Sequence, residues 1–361
     1  MTERSRLAVE GIALDVEHRC GILSGLKIQY GGKTITPLHR APWVDADDET
    51  PPDAPPHLRR LAGDFFCAPF GASDPAVPPH GWAANGLWTE RERQTPKGGG
   101  LSVTFELDET ISGARLEKTI ALLPGHPVVY QTHVFRGGSG QVSVSHHAMI
   151  HVPGGARLSF SRKAMGATPP EPLDDGEGVA RSLLAYPQRF ESLASVGLSN
   201  GGSADIHTYP FAEGHEDFLT LYEEAGEGPG WSAAVAAADG FIFFALKDRA
   251  ALPQTALWMS NGGRQSAPWN GRHRHVLGIE EGCSDFALDA EALGKAGQRA
   301  ALALDPARPT VVRYALGAIP IVEGFREVAA VEMADDRLEL VDVGGRREAV
   351  PFDGRFFFRE M

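Results

Sequence analysis

The stretch LEKTIALLPGHPVVYQTHVFRGGSGQVSVSHHAMIHVPGG, residues Leu116 to Gly155, decides the fold class. Turn signals fall at Pro124-Gly125, Gly137-Gly138 and Gly154-Gly155. The runs between them are rich in β-branched and aromatic residues, the pattern of antiparallel strands joined by tight turns. In the last run, Val142, Val144, Ala148, Ile150 and Val152 share one face of an alternating strand. Ser143, Ser145, His147, Met149 and His151 share the other. The tandem His146-His147 is thereby split. His146 points with the valines, as a buried structural histidine, and His147 points into whatever the polar face lines. A one-residue change of register would exchange the two.

The same signals recur outward along the chain. LSVTFELDE, from Leu101, is a further strand, and SAAVAAADGFIFFAL, from Ser232, is a hairpin turning at Asp239-Gly240. The end, VAAVEMADDRLELVDVGGRREAVPF, gives three strands joined at Asp335-Asp336 and Gly344-Gly345. LDAEALGKAGQRAALAL (288–304) reads as a short helix running into a strand, because Gly294 and Gly297 weaken a longer one. Toward the N-terminus, 7–14 and 21–30 read as a strand pair. The acidic, proline-rich 45–57 is a loop, as is LDDGEG at 173–178. Residues 61–90 are rich in glycine, proline and aromatics with little periodicity, the composition of an ordered segment that lines a site. The reading is a single, large, mostly antiparallel all-β domain over residues 1–361, a β-sandwich.

Composition narrows the function. The net charge is 34 − 47 = −13, which disfavours nucleic acid and anionic membrane surfaces and suits a neutral small molecule. Cys20, Cys67 and Cys283 are far apart and odd in number, as free thiols in a reducing compartment are. MTERSRLAVEG has no apolar signal region, and the most apolar stretch, near 233–246, is broken by Asp239 and Gly240. A cytoplasmic protein is expected, with no membrane partner. The oligomeric state stays open, a homodimer included.

A second stretch carries the chemistry: WMSNGGRQSAPWNGRHRHVLGIEEGC, Trp258 to Cys283. Alternation puts Arg274, Val276, Gly278 and Glu280 on one strand face and Leu277 and Ile279 on the core face. Gly278 leaves room beside Glu280 for something to lie against the backbone. Indoles at Trp258 and Trp269 suit the apolar C–H faces of a sugar ring. Arg264, Arg272 and Arg274 form a cluster that suits a phosphate or carboxylate, or simply a solvated face. Glu281 alternates to the Leu277 side and is the competitor to Glu280. His273, His275 and Glu281 share that side in a set that suits zinc or iron, but Leu277 and Ile279 intervene, and no metal is assigned. His80 stands in PPHGWAANGLWTE between glycines and the indoles of Trp82 and Trp88.

Taken together these segments resemble the aldose 1-epimerases, or galactose mutarotases. His80-Gly81 followed by Gly86 and Trp88 resembles the family's HGG…G…W segment. SHHAMIHVP resembles its NHxYF segment, with His147 at the histidine. WNGRHRHVLGIEEGC resembles the late strand that ends in the family's base, with Glu280 at that place. The likeness spans roughly residues 60–285. It implies a galactose mutarotase-like β-supersandwich that interconverts sugar anomers without cofactor. It implies Glu280 as base on the anomeric hydroxyl, His147 as acid at the ring oxygen and His80 as a hydrogen-bond donor there. Trp82, Trp88, Trp258, Trp269, Arg264 and Arg274 are the expected substrate-binding residues. The family's early arginine is missing after Phe70-Gly71, where Ala72 stands, and Arg59 or Arg60 is the substitute to examine. His146 replaces its asparagine, and its substrate-hydroxyl aspartate has no evident counterpart. Two rival functions remain: a non-catalytic carbohydrate-binding or sensor protein using the indoles, and a carbohydrate lyase or hydrolase. A glycosidase would need two carboxyl groups about the scissile bond.

Overall fold

The structure is a computed structural model that describes residues 3–46, 50–71, 76–96, 99–172 and 181–359. Ala72, the 173–178 loop and residues 47–49 of the acidic stretch lie outside them. Among the described residues, two large sheets dominate. An eight-stranded sheet has at its centre His215–Glu223, Gln254–Asn261 and Val276–Cys283. Val276–Cys283 then pairs with both Val144–His146 and Ala148–His151. A nine-stranded sheet runs from Thr208–Tyr209 through Phe241–Lys247, Thr310–Pro320 and Val128–Gly137 to Trp88–Gln94. The ladders in both sheets are antiparallel.

The main core lies between these sheets. Leu219, Leu257, Leu277 and Ile279 from the first meet Phe105, Leu116, Phe135, Phe243 and Leu316 from the second. Val144, Ala148, Ile150 and Val152 point into the same core, as the alternation of that run demands. The other face of the nine-stranded sheet is covered by the C-terminal strands Val328–Met333, Arg337–Asp342 and Arg347–Pro351. Their Leu338, Leu340 and Val350 pack on Val128, Ile242 and Phe244. The hairpin at Asp239-Gly240 is formed as expected, and so is the short helix Ala290–Lys295 before the strand Leu302–Leu304.

The N-terminal reading needs one correction. Residues 7–14 are not one strand but the two arms of a hairpin, Arg4–Val9 and Ile12–Glu17. Gly11 turns the chain with φ +84°, a conformation open to glycine because it has no Cβ. The other face of the eight-stranded sheet is covered by irregular chain. Trp43, Leu61, Phe65 and Phe70 pack onto Met149, Phe218, Ala256 and Trp258. This layer positions the site. No helix among the described residues is long and apolar enough to cross a membrane.

Because the C-terminal strands have their own apolar contact with the nine-stranded sheet, Leu340→Ala should cost about 2–5 kcal/mol of stability. Urea unfolding followed by tryptophan fluorescence measures the loss.

Candidate active site

A cavity of about 410 Å³ opens between the eight-stranded sheet and its irregular cover. Its floor is set by strand register. Phe218 pairs with Trp258, and Trp258 with Gly278, across three adjacent strands. One step along, Thr220 pairs with Ala256, and Ala256 with Glu280. Glu280 therefore shares a face with Trp258 and Phe218. On the next strands, Ser145 pairs with Gly282 and Ala148 with Ile279. Carried across the break between them, this register sets His147 opposite Glu280 and His146 opposite Glu281. His147 Nε2 lies 3.3 Å from Glu280 Oε1.

Gly278 is required, though not for the expected reason. A Cβ there would stand 2.8 Å from Glu280 Oε1 and 3.0 Å from Trp258 Cβ. The space beside this backbone holds Glu280's own carboxyl group and the indole's stem, rather than a ligand.

His147 is held from behind. Its ring stacks on Phe65 at 4.5 Å between centroids. Its N–H donates to the Phe65 carbonyl at 2.9 Å and to Asp64 Oδ1 at 3.1 Å. His80 comes from the cover. Its own φ is +66°, and Gly81 follows at +74°. A Cβ on Gly81 would stand 1.9 Å from the Ala68 carbonyl oxygen, so only glycine lets the chain turn here. The Gly71 N–H donates to His80 Nδ1 at 3.4 Å, which assigns the ring proton to Nε2. The His80 ring stands 5.3 Å from that of His147 and perpendicular to it.

A third histidine, His57, was read only as part of a loop. It lines the cavity at the end of the short helix Pro56–Arg59, its ring 5.0 Å from that of His80. Asn85 accepts from its Nδ1 at 2.9 Å and donates to the Pro79 and Gly81 carbonyls at 2.8 and 2.7 Å. One amide thus ties two histidine-bearing segments together. Nothing periodic marks His57 or Asn85 in the sequence. Phe218, Phe286, Leu58 and Leu61 also line the cavity, Leu61 from the 61–90 segment expected to do so.

Burial governs the electrostatics. It raises the pKa of Glu280 well above the usual carboxylate range, and the charge of Asp64 adds to the effect. Neither Glu280 oxygen has a hydrogen-bond partner. Burial lowers His147 to about 3, with His57 adding to it. His57 falls to about 4 and His80 well below its ordinary value, chiefly by burial. Burial thus favours the neutral form of both the imidazoles and the carboxyl group that faces them.

Glu281 has a different environment. It points to the opposite face, where Lys247 Nζ lies 2.5 Å away and the Thr255 hydroxyl donates at 2.7 Å. Ser232 donates to its other oxygen. It is a buried, paired structural carboxylate. His146 is structural too: its Nδ1 faces Asp64 Oδ2 at 3.1 Å, and its ring stacks on Tyr314 at 4.0 Å. The structure does not bring His273, His275 and Glu281 together. His273 stacks on Trp258 and bonds Ser260, whereas Glu281 faces away.

Of the expected binding residues, Trp258, Trp269 and Arg264 line the cavity. Arg264 lies over the Trp269 ring at 4.6 Å and 3.8 Å from Glu216. Trp82 does not line it. Trp82 is exposed beside a separate depression with Pro69 and Thr110. Trp88 is fully buried core, its indole N–H donating to the Ala83 carbonyl at 2.9 Å. Arg274 precedes the strand, is exposed and braces a turn through the Gly271 carbonyl. Arg59 and Arg60 do not substitute for an active-site arginine. Arg59 binds the Ala54 and Pro51 carbonyls, and Arg60 faces Glu17.

No protein-family model and no curated protein matches the chain. Solved structures do. One is described as a "putative aldose 1-epimerase" from Escherichia coli K12, 13% identical, with a TM-score of 0.58 over 88% of this chain and 99% of that one. A galactose mutarotase-like protein from Lactobacillus casei is 9% identical, with a TM-score of 0.55 over 88% of this chain and 100% of that one. A galactose mutarotase related enzyme from Lactobacillus acidophilus is 11% identical, with a TM-score of 0.51 over 89% and 98%. The fold is the galactose mutarotase-like β-sandwich, as the resemblance implied.

The two adjacent glutamates should respond oppositely to amidation. Glu281→Gln weakens the pairing of buried Lys247 and should cost on the order of 3 kcal/mol. Glu280→Gln should stabilise. The raised pKa of Glu280 means its stability contribution is present below the unfolded value near about 4.3 and is lost as pH rises. The Tm advantage of Glu280→Gln over the parent should therefore grow between pH 5 and pH 8, as differential scanning fluorimetry would show.

Proposed function

We propose that the chain is an aldose 1-epimerase-like enzyme, opening and reclosing the hemiacetal of a free sugar. The observation that carries this reading is the His147–Glu280 pair, 3.3 Å apart in a cavity walled by Trp258 and Trp269. Neither Glu280 oxygen has a hydrogen bond within the protein, which leaves the acceptor capacity of this buried carboxyl group for a substrate hydroxyl.

In its ion-pair form, Glu280 takes the proton of the anomeric hydroxyl. The C1–O1 double bond forms, the C1–O5 bond breaks, and the His147 imidazolium gives its proton to O5. Glu280 is then protonated and His147 neutral. The aldehyde turns about C1–C2, and closure on the other face reverses both transfers. Burial favours the neutral pair that accompanies the open-chain sugar, and a bound sugar's hydroxyl and ring oxygen would supply the hydrogen bonds that the ion-pair form needs. His80 offers its Nε2–H to O5, and the indoles hold the apolar faces of the ring.

A hydrolase is less well supported, because among the described residues Glu280 is the one carboxylate lining the cavity. A cytoplasmic setting is part of the proposal, and the three free, buried cysteines suit a reducing compartment.

Saturation-transfer NMR on fresh α-anomers of several aldoses tests the reading. Wild type should accelerate exchange, and Glu280→Gln should lose roughly 10²–10⁴-fold of kcat. The rate should fall on the acid side near the His147 value of about 3, and on the alkaline side as Glu280, its pKa raised by burial, loses its proton. If Glu280→Gln kept full turnover, the assignment of the base would fail.

A further inference from the structure

We infer that the sugar this site takes is poor in free hydroxyls: a deoxy-aldose rather than a fully hydroxylated hexose. This rests on the anomer-exchange reading. Among the described residues, five polar side chains line the cavity, His57, His80, His147, Arg264 and Glu280. Glu280, His147 and His80 are engaged at O1 and O5. His57 and Arg264 remain for the rest of the ring. His57 has its Nδ1 on Asn85, which leaves one lone pair at Nε2. Arg264 lies against Glu216 and over Trp269. A hexopyranose brings hydroxyls at C2, C3, C4 and C6, each both donor and acceptor.

Among the described residues, the other side chains that line the cavity are apolar apart from the indole N–H groups of Trp258 and Trp269. Phe286 stands 5.6 Å from Phe70 and 4.6 Å from Phe218, ring to ring, which makes one continuous aromatic surface. Pro55, Leu58 and Leu61 add an aliphatic one. A hydroxyl pressed against either surface gives up water and finds no partner. A methyl or methylene there gains from leaving water. A wall that merely lacks partners disfavours an added hydroxyl by roughly 10–10²-fold.

The test compares matched sugars on wild type. Saturation-transfer NMR reads kcat/KM for D-galactose beside 6-deoxy-D-galactose, and for D-glucose beside its 2-deoxy and 6-deoxy forms. Quenching of Trp258 and Trp269 fluorescence reads binding of the same sugars. At least one deoxy sugar should exceed its parent about tenfold or more, and Phe286→Tyr, which adds a polar partner to the wall, should narrow that ratio. Parent hexoses exchanged as fast as every deoxy form would overturn the preference and leave anomer exchange standing. No exchange of any sugar, with tighter binding of a deoxy form, would overturn anomer exchange and leave the preference standing. Neither exchange nor preferential binding would overturn both.

Discussion

Two doublets facing each other across an antiparallel ladder organise this molecule. His146-His147 and Glu280-Glu281 lie on neighbouring strands in a register that sets His147 against Glu280 and His146 against Glu281. The pleat then sends one pair up into the cavity and the other down between the sheets. A slip of one residue in the histidine strand would bring His146 to the cavity face and send His147 into the core. Cavity-facing and core-facing versions of the same two side chains thus sit side by side.

The two destinations differ in how polarity is satisfied. Below the sheet, Glu281 is paired with Lys247 and His146 Nδ1 faces Asp64, while His146 Nε2 has no partner. Above it, Glu280 has both oxygens unpartnered, and His147 has an unpartnered Nδ1. Leaving buried polar groups without partners costs stability, and folds keep such groups mainly where a ligand supplies what the protein withholds. Asp64 joins the two levels. It binds His146 below and the backbone of His147 above, and its charge helps keep Glu280 protonated.

The cover contributes the other half of the site. The described residues between Trp43 and Asn85 have little regular structure, yet hydrogen bonds tie them together. The Trp43 indole donates to the Leu58 carbonyl at 2.7 Å, and Asn85 links His57 to the turn that carries His80. The sheet supplies the His147–Glu280 pair, and the irregular layer supplies the walls around it.

Much of this was legible in the chain itself. Strict alternation through 142–152 assigned His147 to the polar face and His146 to the core, because period two is a local property of extended backbone. The turn dipeptides placed the hairpins for the same reason. Local pattern could not decide which indoles reach the cavity. Trp88 and Trp258 have similar surroundings in sequence, but one enters the core beneath Lys118 and the other faces Glu280. Nor could it find His57 and Asn85, whose role rests on contacts 28 residues apart in irregular chain. It read Gly278 as space for a ligand when that space belongs to Glu280. The sequence by itself determined the strands, their faces and hence which histidine and which glutamate turn to the cavity. Only the tertiary structure decided the walls, because an irregular segment has no period from which its partners can be read.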